Sequence, residues 1–316
     1  MKAIHSYKRF NGKFVGLELL TQLLSVVKWK HVNPDIPFYL YTCTKTLQEF
    51  KRYGLDEIYD HVDLQVLDSY PLNRINNDVF WASPKLWTMK HQTEPFCILD
   101  TDLVWHKPIN DLLNYDIAFL HTESTYVYPD PIFIETPNGF DWTDDELNAF
   151  KFTLPVNCAF TVWNSIELLN TYIERYFQFV FDNPGKYKIP NKYLNETYAS
   201  TGPQILIEQW WLAALMHLKQ NYKSHSILNS IAFPGGFKSQ LYNMDTWISE
   251  NELNQSMFHL WGAKRYLNES KIHEYEKIFN DLKQAITYYN TNINDTLSSI
   301  IDYCEQEISM YKTTVF

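Results

Sequence analysis

The sequence predicts an α/β fold: a mostly parallel central sheet flanked by helices, with a helical extension at the C-terminus. Short strand-like runs alternate with longer stretches of helical period through the first half, the pattern of βαβ units. Beyond about residue 267 only polar amphipathic helical patterning remains. With 45% hydrophobic content the 316 residues can bury a substantial core. No internal repeat or low-complexity linker divides the chain, so a main domain over 1–265 and an extension over 266–316 are expected.

The first strand candidate is AIHSY at 3–7, followed by Leu20, Leu23, Leu24 and Val27 at helical spacing within 14–30, long enough for a crossover helix. FYLYTC at 38–43 is the second strand, and a helix over 45–53 should end at Gly54. HVDLQVL at 61–67 and FCILD at 96–100 read as strands, with a helix between them that starts near Pro84 and runs through KLWTMKHQ. After IAFLH at 117–121 comes an irregular stretch with Pro129, Pro131 and Pro137, the kind of segment that usually carries function. Thr143 and Glu146 then stand in capping-box spacing. VNCAFTVWN at 156–164, a helix to about 182, a loop at 183–203 and a helix over 203–219 follow. SMFHLW at 256–261 is the last strand candidate.

Charge and composition exclude several classes. Lys and Arg total 27 against 37 Asp and Glu, a formal charge of -10, which repels phosphate backbones and removes nucleic acid as a partner. No run of about 18 apolar residues occurs, and MKAIHSYKRF lacks a signal-peptide core, so a soluble cytoplasmic protein is expected. Cys43, Cys97, Cys158 and Cys304 are widely scattered and read as reduced core residues, which makes the sequons at Asn195, Asn268 and Asn294 chance matches.

The chemistry concentrates in FCILDTDLVW, where Asp100 and Asp102 end the most apolar strand. Buried unpaired carboxylates are costly, so the pair should emerge where a positive partner meets it. Ligands of open α/β sheets gather at the carboxyl ends of strands, and carboxylates at i and i+2 across a turn can both face one hard divalent cation. Asp also commonly opens a loop with no further role. DTDLV further matches the D-x-D-x-[TV] of haloacid dehalogenase-type phosphatases, with Asp100 as nucleophile, but the adjacent acidic pair such an enzyme needs is found only at Asp144 and Asp145, just after a helix cap.

Four pieces in order, SPKL, FCILDTDLVWHKPINDL, VNCAFTVWN and HLWGAK, make residues 1–265 resemble the GT-A glycosyltransferases of the glycogenin and lipopolysaccharide galactosyltransferase type, glycosyltransferase family 8. The resemblance implies a Rossmann-like nucleotide-sugar-binding catalytic domain that uses Mn2+ or Mg2+ and a UDP-sugar. It places Asp100, Asp102 and His259 as metal ligands. Gly262 and Lys264 fall in a family H-x-x-G-x-x-K element that is one residue shorter here, so Arg265 could stand in for Lys264. Tyr7, Lys85 and Asn157 join the donor-binding set, Lys85 where the family has Arg. Asn157 lies in a strand whose usual Gly is replaced by Ala159 or Phe160. Glu208 and Gln209 resemble the family's D-Q pair at the reacting carbon.

Each position also has a structural reading. Lys85 can be a solvated lysine in a first helical turn, His259 a satisfied core histidine, Glu208 a buried carboxylate sharing a face with Trp211 and Leu212, and Trp210 and Trp211 plain core. The resemblance implies retention with Gln209 beside the reacting centre; inversion would need a base, for which Glu208 is the candidate. The expected acceptor is a glycan, a lipid-linked sugar or a protein. A catalytically inert sugar-binding protein with the same fold is the alternative from a different class.

Overall fold

The computed structural model describes residues 1–10, 14–123, 140–182, 202–227, 257–259, 271–289 and 294–313. The chain forms two compact units, the first comprising Met1–Asp68, Leu99–Ile109 and Lys238–Phe316, the second Ser69–Ile98 and Asn110–Phe237.

In the first unit, β1 (Lys2–Tyr7), β2 (Phe38–Thr42) and β3 (His61–Asp63) lie in the order β3-β2-β1. Both pairings are parallel, with Ile4 opposite Tyr39 and Leu40 opposite Val62. The crossover between the first two strands is α1 (Gly16–Val32), whose Leu17, Leu20 and Leu24 are fully buried. Helix α2 (Thr44–Lys51) is followed by Gly54 at φ 66°, a left-handed position that favours glycine. The run expected as one strand over 61–67 is divided: β3 stops at Asp63, and α3 (Gln65–Asp68) is a single helical turn. The Asp63 carboxylate accepts the Val66 N–H at 3.1 Å, a local bond that turns the backbone out of the ladder.

Helix α4 (Ser83–Lys90) opens with Pro84 in its first turn, as expected. After it β4 (Phe96–Leu99) runs, fully buried, and ends immediately before Asp100. The short strand β5 (Leu103–Trp105) carries no turn signal of its own and escaped the sequence reading.

In the second unit β6 (Ile117–Phe119), β7 (Phe160–Trp163) and β8 (Ser224–Ser226) extend the strand order β4-β7-β6-β8. β6 pairs antiparallel with β7 and parallel with β8. Strand β7 is shorter than the expected 156–164 because Asn157 Oδ1 accepts the Ala159 N–H at 2.9 Å and bends the chain before the ladder starts. Helix α5 (Asp144–Phe152) starts with the expected capping box of Thr143 and Glu146. Helix α6 (Ile166–Asp182) buries Leu169, Tyr172, Tyr176 and Phe179. The helix expected over 203–219 is not uniform: a π-helical turn at Leu206–Trp210 precedes α7 (Trp211–Leu218).

The C-terminal part of the first unit contributes β9 (Met257–His259), α8 (Ile272–Tyr289) and α9 (Asn294–Thr313). Both helices pack on α1, and α8 also packs on α9. All four cysteines are buried and reduced. Among the described residues no helix is long and apolar enough to cross a membrane.

Candidate active site

Strand β4 delivers Asp100 and Asp102 to a tight turn, which the Leu103 N–H closes on the Asp100 carbonyl at 3.0 Å. Both aspartates are half-buried. The turn feeds β5, and β5 pairs antiparallel with β9, placing Leu103 directly opposite His259. Opposed residues in such a pair have Cα atoms about 4.5 to 5.5 Å apart. The backbone of His259 is therefore one position removed from that of Asp102. Among the described residues, no group of three His, Cys, Asp or Glu stands close enough to hold a metal. Gly262, Lys264 and Arg265 lie outside the described residues.

Tyr7 ends β1 in the same unit. Its ring stacks on Phe14 at 5.6 Å, and Arg9 lays its guanidinium over the other partner of that contact, 4.2 Å from the Phe14 centroid. Burial pushes the Tyr7 hydroxyl above its ordinary pKa, with Glu18 and Asp102 adding to the effect and Arg9 opposing it. Arg9, 4.0 Å from the Glu18 carboxylate, is a cation of this region that the sequence reading did not single out.

In the second unit, Lys85 and Glu208 form an ion pair at 2.9 Å, with side chains only 12% and 6% exposed. The solvated reading of Lys85 is thereby corrected: the short α4 points its first-turn lysine inward, where its ammonium also donates to the Cys158 carbonyl at 3.1 Å. Leu86, Met89, Trp163, Tyr172 and Leu212 wall the recess around the pair. Glu208 uses its second oxygen to accept from Gln204 at 2.8 Å. Gln204 in turn accepts from Tyr176, whose hydroxyl meets Ser83 at 2.8 Å. A buried charge pair survives only when its remaining donors and acceptors are satisfied, and here they are.

The π turn places Glu208 and Gln209 together. A wide turn shifts the helical ladder by one residue, so carbonyls that would accept within an α-helix turn elsewhere. The Glu208 carbonyl accepts from the Tyr172 hydroxyl at 3.0 Å, and the Gln209 carbonyl from the Val156 N–H at 3.3 Å. The second of these bonds ties the turn to the segment carrying Asn157. Gln209 Oε1 is buried with no hydrogen-bond partner among the described residues. Such an orphaned acceptor in a native interior calls for an explanation in function or in an unseen partner. Trp210 and Trp211 are core, as one reading had them.

Asn157 donates to Glu123 at 2.7 Å, and Glu123 lies 3.9 Å from His121 Nε2. Both partners are buried at the exit of β6. Sequence reasoning missed Glu123, and its only signal was an acidic residue two positions after the apolar run IAFLH.

A family model described as "Family of unknown function (DUF6734)" matches residues 23–296. No curated protein sequence matches the chain. Among solved structures, the chain is similar to the galactosyltransferase LgtC in complex with donor and acceptor sugar analogs, at 10% identity, 84% coverage of this chain, 94% of that chain and a TM-score of 0.40. The glycosyltransferase GlyE of Streptococcus pneumoniae TIGR4 matches at 11% identity over 97% of this chain, with a TM-score of 0.41; the match spans 64% of GlyE. The bifunctional glycosyltransferase WbbM in its apo form matches at 10% identity over 91% of this chain and 51% of its own, with a TM-score of 0.44.

Proposed function

The chain belongs to DUF6734, a family without an assigned activity, and from that premise we propose that it is a glycosyltransferase acting on a nucleotide-sugar donor. One observation carries the reading: the β5–β9 pairing brings His259 opposite Leu103, beside the Asp100–Asp102 turn, although the sequence separates them widely. Two carboxylates and one imidazole are a suitable donor set for Mn2+ or Mg2+. Asp100, Asp102 and His259 would hold the cation. When bound, it would supply charge neutralisation for a departing diphosphate.

The protein's own groups then take distinct roles. Tyr7, at the end of β1 and stacked on Phe14, would offer its hydroxyl to the nucleotide. Lys264, with Gly262, would meet the phosphates. Lys85 is held by Glu208, so it acts through a fixed position and does not sweep through solvent. Asn157, held by Glu123, would meet donor sugar hydroxyls. UDP is the nucleotide this assignment favours.

Glu208 is a poor candidate for a base that deprotonates an acceptor, since one oxygen faces Lys85 and the other Gln204, and the side chain is almost enclosed. Gln209, with its orphaned oxygen on the π turn, is the better group to stand beside the reacting carbon. That division of labour favours retention of anomeric configuration over inversion, which would need a free base. The phosphohydrolase reading is weakened because Asp144 and Asp145 sit in the first turn of α5, not at a strand end.

The deciding experiment is a thermal-shift panel of nucleotide sugars with and without Mn2+. Binding to the native state raises the midpoint by mass action. A Mn2+-dependent rise with one UDP-sugar, followed by NMR assignment of the product anomer, supports a retaining transferase. No rise with any donor, or hydrolysis of a simple phosphate monoester lost in Asp100→Asn, overturns it.

A further inference from the structure

The face that α9 (Asn294–Thr313) turns toward the rest of the first unit buries Ile300 and Cys304 and carries polar residues beside them. Thr296, Tyr303 and Glu307 fall at i, i+7 and i+11, a single stripe at helical period. Each of the three bonds backbone at or near the end of another helix. Thr296 Oγ1 donates to the Gly54 carbonyl at 3.3 Å, Tyr303 Oη to the Phe14 carbonyl at 2.8 Å, and the Gly16 N–H donates to Glu307 Oε2 at 2.8 Å. Tyr275 from α8 completes the Glu307 carboxylate at 2.5 Å. Gly16 is the first residue of α1, so Glu307 also places a carboxylate at that helix's N-terminus.

Phe14 is the link to the candidate donor site. Its ring carries Tyr7 on one contact and the Arg9 guanidinium on another, while its own carbonyl is held by Tyr303. We infer that Tyr303 and Glu307 are positioning residues for the nucleotide donor, acting through Phe14 and Gly16 to fix Tyr7 and Arg9 at the end of β1. The proposal rests on the transferase reading above. It makes the C-terminal helix part of donor recognition, since buried polar bonds aimed at backbone fix register in a way that apolar packing does not.

The test compares wild type with Tyr303→Phe, Glu307→Gln, Glu307→Ala and the exposed control Ser298→Ala. Two readouts are taken: amide hydrogen exchange of residues 14–18, and donor KM against kcat for the nucleotide sugar identified by the thermal-shift panel. Faster exchange with KM raised roughly three- to tenfold and kcat within about twofold is the expected result, the size of one lost hydrogen bond. Glu307→Gln, which keeps an acceptor for Gly16, should lie between wild type and Glu307→Ala. Unchanged exchange, or faster exchange with KM unaltered, overturns the inference. A wild-type chain that binds no nucleotide sugar overturns it too, but is told apart because the transferase reading then fails before any variant is compared.

Discussion

The Lys85 ammonium stands 2.9 Å from the Glu208 carboxylate inside a recess walled by Trp163, Tyr172 and Leu212. Breaking such a pair leaves one charge buried alone, which costs about 3 to 5 kcal/mol. Lys85→Ala and Glu208→Ala should each destabilise the fold by that order. The double variant Lys85→Met/Glu208→Leu, apolar and of similar volume, should regain most of the loss. Chemical denaturation of the four proteins, wild type included, compares them; a double variant no more stable than either single variant would mean that the pair is not a unit.

Asp102→Ala and His259→Ala should each abolish the Mn2+-dependent part of any nucleotide-induced stabilisation while leaving the metal-free melting temperature within a few degrees. The first removes a half-buried carboxylate on a turn and so opens no large core cavity, and the second changes the last residue of β9. Differential scanning fluorimetry with UDP, with and without Mn2+, reads both. Retention of the metal effect in either variant removes that residue from the ligand set.

Stability should fall as the solution is acidified below about pH 6.5. His5 is fully buried between Tyr59 and Ser25, with its pKa lowered to about 3 by burial. His106 is likewise lowered to about 3, by burial and by the neighbouring Lys28. Below 6.5 the unfolded chain binds protons that these folded imidazoles refuse, so folding loses about 1.4 kcal/mol per pH unit for each group until the folded values are reached. Glu307 works in the opposite sense. Burial raises its pKa, so its contribution is full below the ordinary carboxylate value and lost as pH rises through the raised one. Urea melts from pH 7.5 to 4.5 should show the histidine slope dominating, and a flat profile between 6.5 and 5 would contradict it.

A methyl group on Gly16 would overlap the Cys304 sulfur and come within 2.9 Å of the Tyr275 hydroxyl. Gly16→Ala gains up to about 1 kcal/mol from helix propensity but forces a tight interface apart at about 1 to 3 kcal/mol. A net loss of about 1 kcal/mol is expected. Gly16→Ala/Cys304→Ala should melt higher than Gly16→Ala alone, a reversal that identifies the clash as the cause.

Much of this architecture could be read from the residues. Apolar runs and the helical spacing of Leu20, Leu23 and Leu24 located β1, α1, β2 and β4, because those elements bury one-sided or fully apolar faces. Gly54 and the pair Thr143 and Glu146 marked helix ends through backbone chemistry that depends on few neighbours. What stayed hidden depends on distant partners. Strand β8 is Ser-His-Ser and exists only because β6 supplies its ladder. Asp63 cut β3 short through a bond to Val66 that no periodicity reports. For Lys85 the local pattern described a surface lysine, and only Glu208, on a different helix, turns it inward.

The β5–β9 pairing has a consequence for the order of assembly. Leu103 and His259 meet across almost half the polypeptide, so the loop they close is long and its entropic cost falls due before the contact returns anything. During synthesis Asp100 and Asp102 leave the ribosome well ahead of His259. The ladder that sets His259 beside their turn is thus a late acquisition of the nascent chain, formed only after the two strands find each other.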